Sequence, residues 1–103
     1  MPEDLRSANI YPHIHVFSAG DATMTEIQLP SASNRITVGC ENKDLYVAQN
    51  GATDGGAPPT AKAFIPKNNY LQFTIGRGTN RANSIFISSQ SGSASVILIL
   101  EEI

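Results

Sequence analysis

Two histidines, His13 and His15, are the residues whose type and spacing most directly allow chemistry. Residues two apart in a β-strand point to the same side, so both imidazoles would share one face. Such a pair can supply two ligands to a metal ion, and three copies around a threefold axis would supply six. No third histidine exists, and the next acids along the chain, Asp21 and Glu26, have no defined spatial relation to the pair. We therefore favour two ordinary surface or interface histidines.

Other residue patterns that could support catalysis each lack a part that the chemistry requires. Cys40 follows Val38 on the apolar side of a predicted strand, and the sequence places no base or positive charge beside it to activate the thiol. No serine lies in the Gly-x-Ser-x-Gly turn of a hydrolase. Residues 76–80 lack the Lys-Ser/Thr ending of a phosphate loop. We therefore predict a protein that is not an enzyme and that binds no metal or cofactor.

The composition indicates a soluble domain with few charges. The chain has 103 residues, 16% of them charged, and a formal net charge of -2. Ser, Thr, Asn and Gln together number 29. This charge density is too low for a disordered tail, a coiled coil or a polybasic nucleic-acid binder. No apolar run approaches the ~18 residues of a membrane span. We expect a single domain, made in a cytosol, that binds neither nucleic acid nor membrane.

Apolar and polar residues alternate along most of the chain, which predicts β-strands. Residues 1–9 have little apolar content and are predicted to form a flexible arm, and residues 10–103 a single-domain β-sandwich. The Gly- and Pro-rich segment 50–60 cannot be a ladder strand, and its length suits a crossover between two sheets. The fold class is therefore all-β, jelly-roll-like, with about eight antiparallel strands. These strands are predicted at residues 10–18, 23–29, 34–40, 43–49, 61–66, 70–76, 84–89 and 94–101.

The last strand is apolar on both of its faces. One face fills the predicted core, and the other presents Ile97 and Ile99, which need cover from a second subunit or from the loop at 50–60. We favour a homo-oligomer whose interface contains Ile97, Ile99, His13 and His15. The residues predicted to form most of the core are Ile14, Val16, Ile27, Leu29, Ile36, Val38, Leu45, Val47, Leu71, Phe73, Ile75, Ile85, Ile87, Val96, Leu98 and Leu100.

Three features together resemble the small decoration, or cement, proteins of tailed bacteriophages and related β-sandwich virion proteins. They are the short N-terminal arm, the Ser/Thr/Asn/Gly-rich all-β body and the ending SIFISSQSGSASVILILEEI. The resemblance implies a structural protein, made in the bacterial cytoplasm, that sits as a trimer on the outer capsid surface. Its partner would be the major capsid protein, which it would bind to stabilise the lattice. The arm would make the attachment, and its sizeable apolar residues are Leu5, Ile10 and Tyr11.

A second class of function uses the same sandwich as a carbohydrate- or receptor-binding module of a phage tail or fibre. Its platform for stacking and hydrogen bonding would comprise Tyr46, Tyr70, Asn68, Asn69 and Gln72. Sugar sites commonly use exposed aromatic faces, and this chain has no Trp and three Tyr. The aromatic content therefore favours the structural role over the sugar-binding one.

Overall fold

The computed structural model describes residues 3–49, 62–76 and 82–103, and every regular element in these ranges is a β-strand. Alternating apolar residues form the strands, and Gly, Pro, Asn and Ser fill the turns. The strands are β1 (Glu3–Asp4), β2 (His13–Ala19), β3 (Thr25–Gln28), β4 (Arg35–Cys40), β5 (Leu45–Ala48), β6 (Ala63–Ile65), β7 (Asn69–Thr74), β8 (Ser84–Ser89) and β9 (Ala94–Glu101).

The strands form two sheets. One sheet has the order β1-β3-β8-β5-β6, and the other has the order β2-β9-β4-β7. Four antiparallel pairs nest inside one another, β5 with β6, β4 with β7, β3 with β8 and β2 with β9. This is the wrapping of a long hairpin into a jelly roll, which confirms the predicted β-sandwich. The exception to antiparallel pairing is β1, which runs parallel to β3.

Each of the eight predicted strands overlaps one of the strands β2 to β9. Two turns contain a residue with a left-handed backbone, Asn68 between β6 and β7 and Gly92 between β8 and β9. Asparagine and glycine adopt this conformation at the lowest cost. The predicted crossover at 50–60 lies outside the described residues.

The core lies between the sheets and contains most of the predicted apolar residues. Two of them, Ile14 and Val16, are not in it, since 64% and 57% of their surface is exposed. The opposite face of β2 is buried instead, through Phe17 and Ala19. Because β9 is apolar on both faces, its pairing with β2 does not select which face of β2 turns inward. The assignment of Ile14 and Val16 to the core is therefore wrong.

The predicted exposed arm at 1–9 is also corrected where the structure describes it. Glu3 and Asp4 pair with Ile27 and Gln28 as strand β1, and the Leu5 amide donates to the Gln28 carbonyl at 2.9 Å. The Leu5 side chain is 7% exposed and belongs to the core. Backbone hydrogen bonds to the edge strand β3 and burial of Leu5 in the core stabilise this N-terminal segment, which has little stability alone.

We predict that Leu5→Ala destabilises the protein by about 2 kcal/mol or more, because it removes buried methyl groups from the core. The matched control is Ile10→Ala, a residue that is 77% exposed in the same segment. It should change the free energy of unfolding by less than about 0.5 kcal/mol. Urea denaturation measures both values, and equal small effects would show that Leu5 is not part of the core.

Candidate functional site

The outer surface of the four-stranded sheet carries the largest set of exposed apolar side chains in the described residues. We call Ile14, Val16, Ile97, Ile99 and Tyr70 the apolar face. Ile14 pairs directly with Ile99, and Val16 with Ile97, across β2 and β9. Ile14 and Val16 are exposed, while their neighbours on the central strand β9 are half-buried. Side chains opposite each other on one face are in contact, so these four form a continuous block.

The row of Val16 and Ile97 continues across β4 and β7 through Gly39 and Tyr70. The Tyr70 ring lies on the Gly39 backbone, where a Cβ atom would collide with it. Glycine within a strand commonly marks such a close approach by another group. The absence of a side chain at Gly39 therefore lets an aromatic ring extend the apolar face over a third and a fourth strand.

Polar side chains border the apolar face at both ends of the strands. At one end, the Ser18 and Ser93 hydroxyls are 2.8 Å apart. At the other, Arg35 donates to the Glu101 carboxylate through Nε and Nη2, at 3.1 and 3.0 Å. This hydrogen bonding holds the pKa of Glu101 below its usual value and raises that of Arg35. The charges of Arg35 and Glu101 are therefore matched within the chain.

An apolar centre with a polar rim is the anatomy of a protein interface. Burying a Val or Ile side chain stabilises by ~1.5–3 kcal/mol, so covering the exposed halves of Ile14 and Val16 would contribute about 2–3 kcal/mol together. The core does not include these side chains, since β2 contributes Phe17 and Ala19 to it instead. The apolar face is thus available for binding without any rearrangement of the fold.

The two histidines share one face of β2, as predicted, but it is the inner face. His15 pairs with the buried Leu98, whereas Val16 pairs with Ile97 on the outer surface. The rings of His13 and His15 stack at 6.3 Å, and His15 Nε2 is 2.7 Å from Glu3 Oε1. The four residues predicted to share one interface therefore lie on two faces, with the histidines beside the N-terminal strand. Within the described ranges, no three His, Cys, Asp or Glu side chains are grouped to hold a metal ion.

The three predicted attachment residues have different environments. Leu5 is in the core, and Ile10 is 77% exposed. Tyr11 packs against the core, and its hydroxyl donates to the Ala8 carbonyl at 3.0 Å. Of the three, Ile10 is the one whose side chain is open to a partner.

The predicted sugar platform is divided between the two sheets. Tyr70 and Gln72 lie on β7, but Tyr46 lies on β5 of the other sheet. The ring centres of Tyr46 and Phe64 are 5.8 Å apart. The Lys62 ammonium lies 4.9 Å from the centre of the Tyr46 ring. Asn68 and Asn69 are exposed at the start of β7. The structure therefore keeps Tyr70, Gln72 and the two asparagines near one strand and separates Tyr46 from them.

The remaining candidates do not form a site in the described residues. Cys40 is buried as predicted, and its thiol donates to the Asn42 side-chain oxygen at 2.8 Å. Of the glycine-containing segment 76–80, residues 77–80 lie outside the described ranges. The part of the chain that the structure describes contains no helix long and apolar enough to cross a membrane.

The sequence identifies two of the five residues of the apolar face as an outer apolar surface, and it names Tyr70 as part of the sugar platform. Ile97 and Ile99 were identifiable because β9 is apolar on both sides. Ile14 and Val16 were assigned to the wrong side of β2. The contact of Tyr70 with Gly39 has a weak sequence signal, a glycine within an alternating strand.

Comparison with protein-family models, with curated proteins and with solved structures finds no match to this chain. The geometry and the sequence are therefore the basis for the function proposed below.

We predict that Gly39→Ala destabilises the protein by about 1–3 kcal/mol, because the new methyl group displaces the Tyr70 ring from the sheet. In a Tyr70→Ala background the same substitution should cost much less, since nothing then occupies the space above residue 39. Thermal or urea unfolding of the two single variants and the double variant measures this coupling. An equal cost in both backgrounds would contradict the ring placement.

Proposed function

We propose that this chain is a non-enzymatic structural protein that decorates and stabilises a bacteriophage capsid by binding its lattice as an oligomer. The observation that carries the proposal is the apolar face, in which the exposed Ile14 and Val16 pair with the half-buried Ile97 and Ile99 outside the core. Monomeric soluble proteins rarely keep a contiguous apolar patch on a sheet surface without using it for binding.

The fold supports a mechanical role. A jelly roll with nested long-range pairs resists local opening, because its strands are held by neighbours far apart in sequence. The sandwich also carries the contact surface between copies on strands rather than on loops, so oligomer formation requires little ordering of the backbone. A rigid block with a preformed contact face suits a protein that reinforces a lattice.

Attachment to the lattice involves a shorter segment than the sequence predicts. Since Leu5 is part of the core, the exposed apolar group of the N-terminal region is Ile10, which lies between β1 and β2. We assign the capsid contact to the segment around Ile10 and the contact between copies to the apolar face. Weak contacts then reinforce one another through effective concentration, because an oligomer presents more than one copy of Ile10 at once.

A carbohydrate-binding module is the second candidate, and one observation favours it. The Tyr70 ring is 46% exposed, and the Gln72 amide donates to the Thr37 hydroxyl at 3.3 Å beside it. An exposed ring next to polar groups can stack on a sugar and hydrogen-bond its hydroxyls. Saturable binding on a glycan array that is lost in Tyr70→Ala, without capsid binding, would favour this function instead.

We predict that the purified protein adds to bare phage capsids from the source of this chain in a saturable number per shell. Ile10→Lys should reduce this binding by about tenfold or more, because each oligomer loses several contacts together. Quantitative co-sedimentation with the capsids measures the bound amount.

The matched control is Phe64→Lys, which replaces a residue that is 52% exposed on the other sheet. It should bind capsids as the wild-type protein does. Failure of the wild-type protein to bind at any concentration would contradict the proposed function, and equal loss in both variants would contradict the assignment to Ile10.

A further inference from the structure

We infer that the apolar face binds the same face of a second copy of this chain, so that two four-stranded sheets stack in a two-fold pair. This inference rests on the proposed function in one respect, since it names the partner of the surface used for oligomer formation. It departs from the trimer that the sequence resemblance implies.

The area of the face is sufficient for a weak pair. The strand registers place three outward residues on each of β2, β4 and β7 and four on β9. With strands ~4.8 Å apart and outward side chains ~6.7 Å apart along each strand, these positions cover about 400 Å². Two such faces cover about 800 Å², the size of a weak, transient interface. We therefore expect a reversible pair that dissociates in the micromolar range.

The charges of the face permit contact with its own copy. The rows across the outer surface contain one cation, Arg35, and one anion, Glu101, which are hydrogen-bonded to each other. The remaining rows present aliphatic, hydroxyl and amide groups, such as Ile99, Thr37 and Gln72. Identical faces repel when they carry an excess of one charge, and these rows carry none. Glu41, in the turn after β4, adds one exposed anion at their border.

The shape of the face also favours a second sheet as the occupant. Sheets pack face to face at ~10 Å through interdigitating side chains. The face has the protruding Ile14 and Val16 on its edge strand. It also has a hollow of about 350 Å³ beside Ile97, lined by Ser95, Asn42 and Glu41. Two copies related by a two-fold axis can therefore each place projecting side chains in the hollow of the other.

One face of a sheet has room for one opposing sheet. When the two sheets stack, the whole apolar face of each copy is buried, so the assembly closes at two chains. A threefold arrangement would instead place each face partly against two neighbours and would leave part of the Ile14 and Val16 block exposed. The geometry of the face therefore favours the pair.

Sedimentation velocity of the full chain over a range of concentrations tests this inference. We expect one-chain mass at nanomolar concentration and two-chain mass at high micromolar concentration. The double variant Ile14→Lys/Val16→Lys should remain a single chain throughout, and its dissociation constant should rise by at least about a hundredfold. Phe64→Lys is the matched control on the other sheet and should pair as the wild-type protein does. Far-UV circular dichroism shows whether each variant is folded. If the double variant does not fold, the single variant Ile14→Lys replaces it in the sedimentation experiment.

A wild-type protein that stays a single chain at high micromolar concentration would overturn the inference, as would a three-chain mass or unchanged pairing of the folded lysine variants. These outcomes are distinct from a failure of the proposed function. If the protein pairs but does not add to capsids, the pairing inference is supported and the proposed capsid role is contradicted. If the protein adds to capsids as a single chain, the capsid role is supported and the apolar face contacts the lattice instead of a second copy.

Discussion

Strand β9 is apolar on both of its faces, and a two-layer sandwich has one interior. The inward residues Ala94, Val96, Leu98 and Leu100 are buried, so the intervening Ile97 and Ile99 must point outward. The alternation of side chains along a strand makes this unavoidable, since any shift by one residue would exchange the two sets. The alternation that builds the core therefore also places apolar side chains on the outer surface of the four-stranded sheet.

The jelly-roll wrapping extends this outer surface beyond one strand. It places β9 between β2 and β4, so that Ile14 and Val16 are added on one side, and Thr37 and Gly39 on the other. Gly39 in turn admits the Tyr70 ring from β7. Residues far apart in sequence thus form one surface, and the N-terminal strand β1 completes the opposite sheet at its edge.

The sequence predicted the strands well, because alternation and turn residues are local properties. It did not predict the inward face of β2, since His-Ile-His-Val-Phe-Ser-Ala carries apolar residues at both parities. Phe17 and Ala19 decide the outcome by filling the space between the sheets, which is a tertiary property. The burial of Leu5 was equally hidden, because it depends on the open edge of β3. Local patterns define elements, and the space left between elements defines which side of an ambiguous strand is buried.

The most direct test of the account is a methyl NMR spectrum recorded across a concentration series of the wild-type protein. If the apolar face is the contact surface, the methyl signals of Ile14, Val16, Ile97 and Ile99 shift with concentration. Those of Ile36 and Val38, on the inner side of the same sheet, stay unchanged. Signals that are all independent of concentration, or shifts that fall on the other sheet, would contradict it.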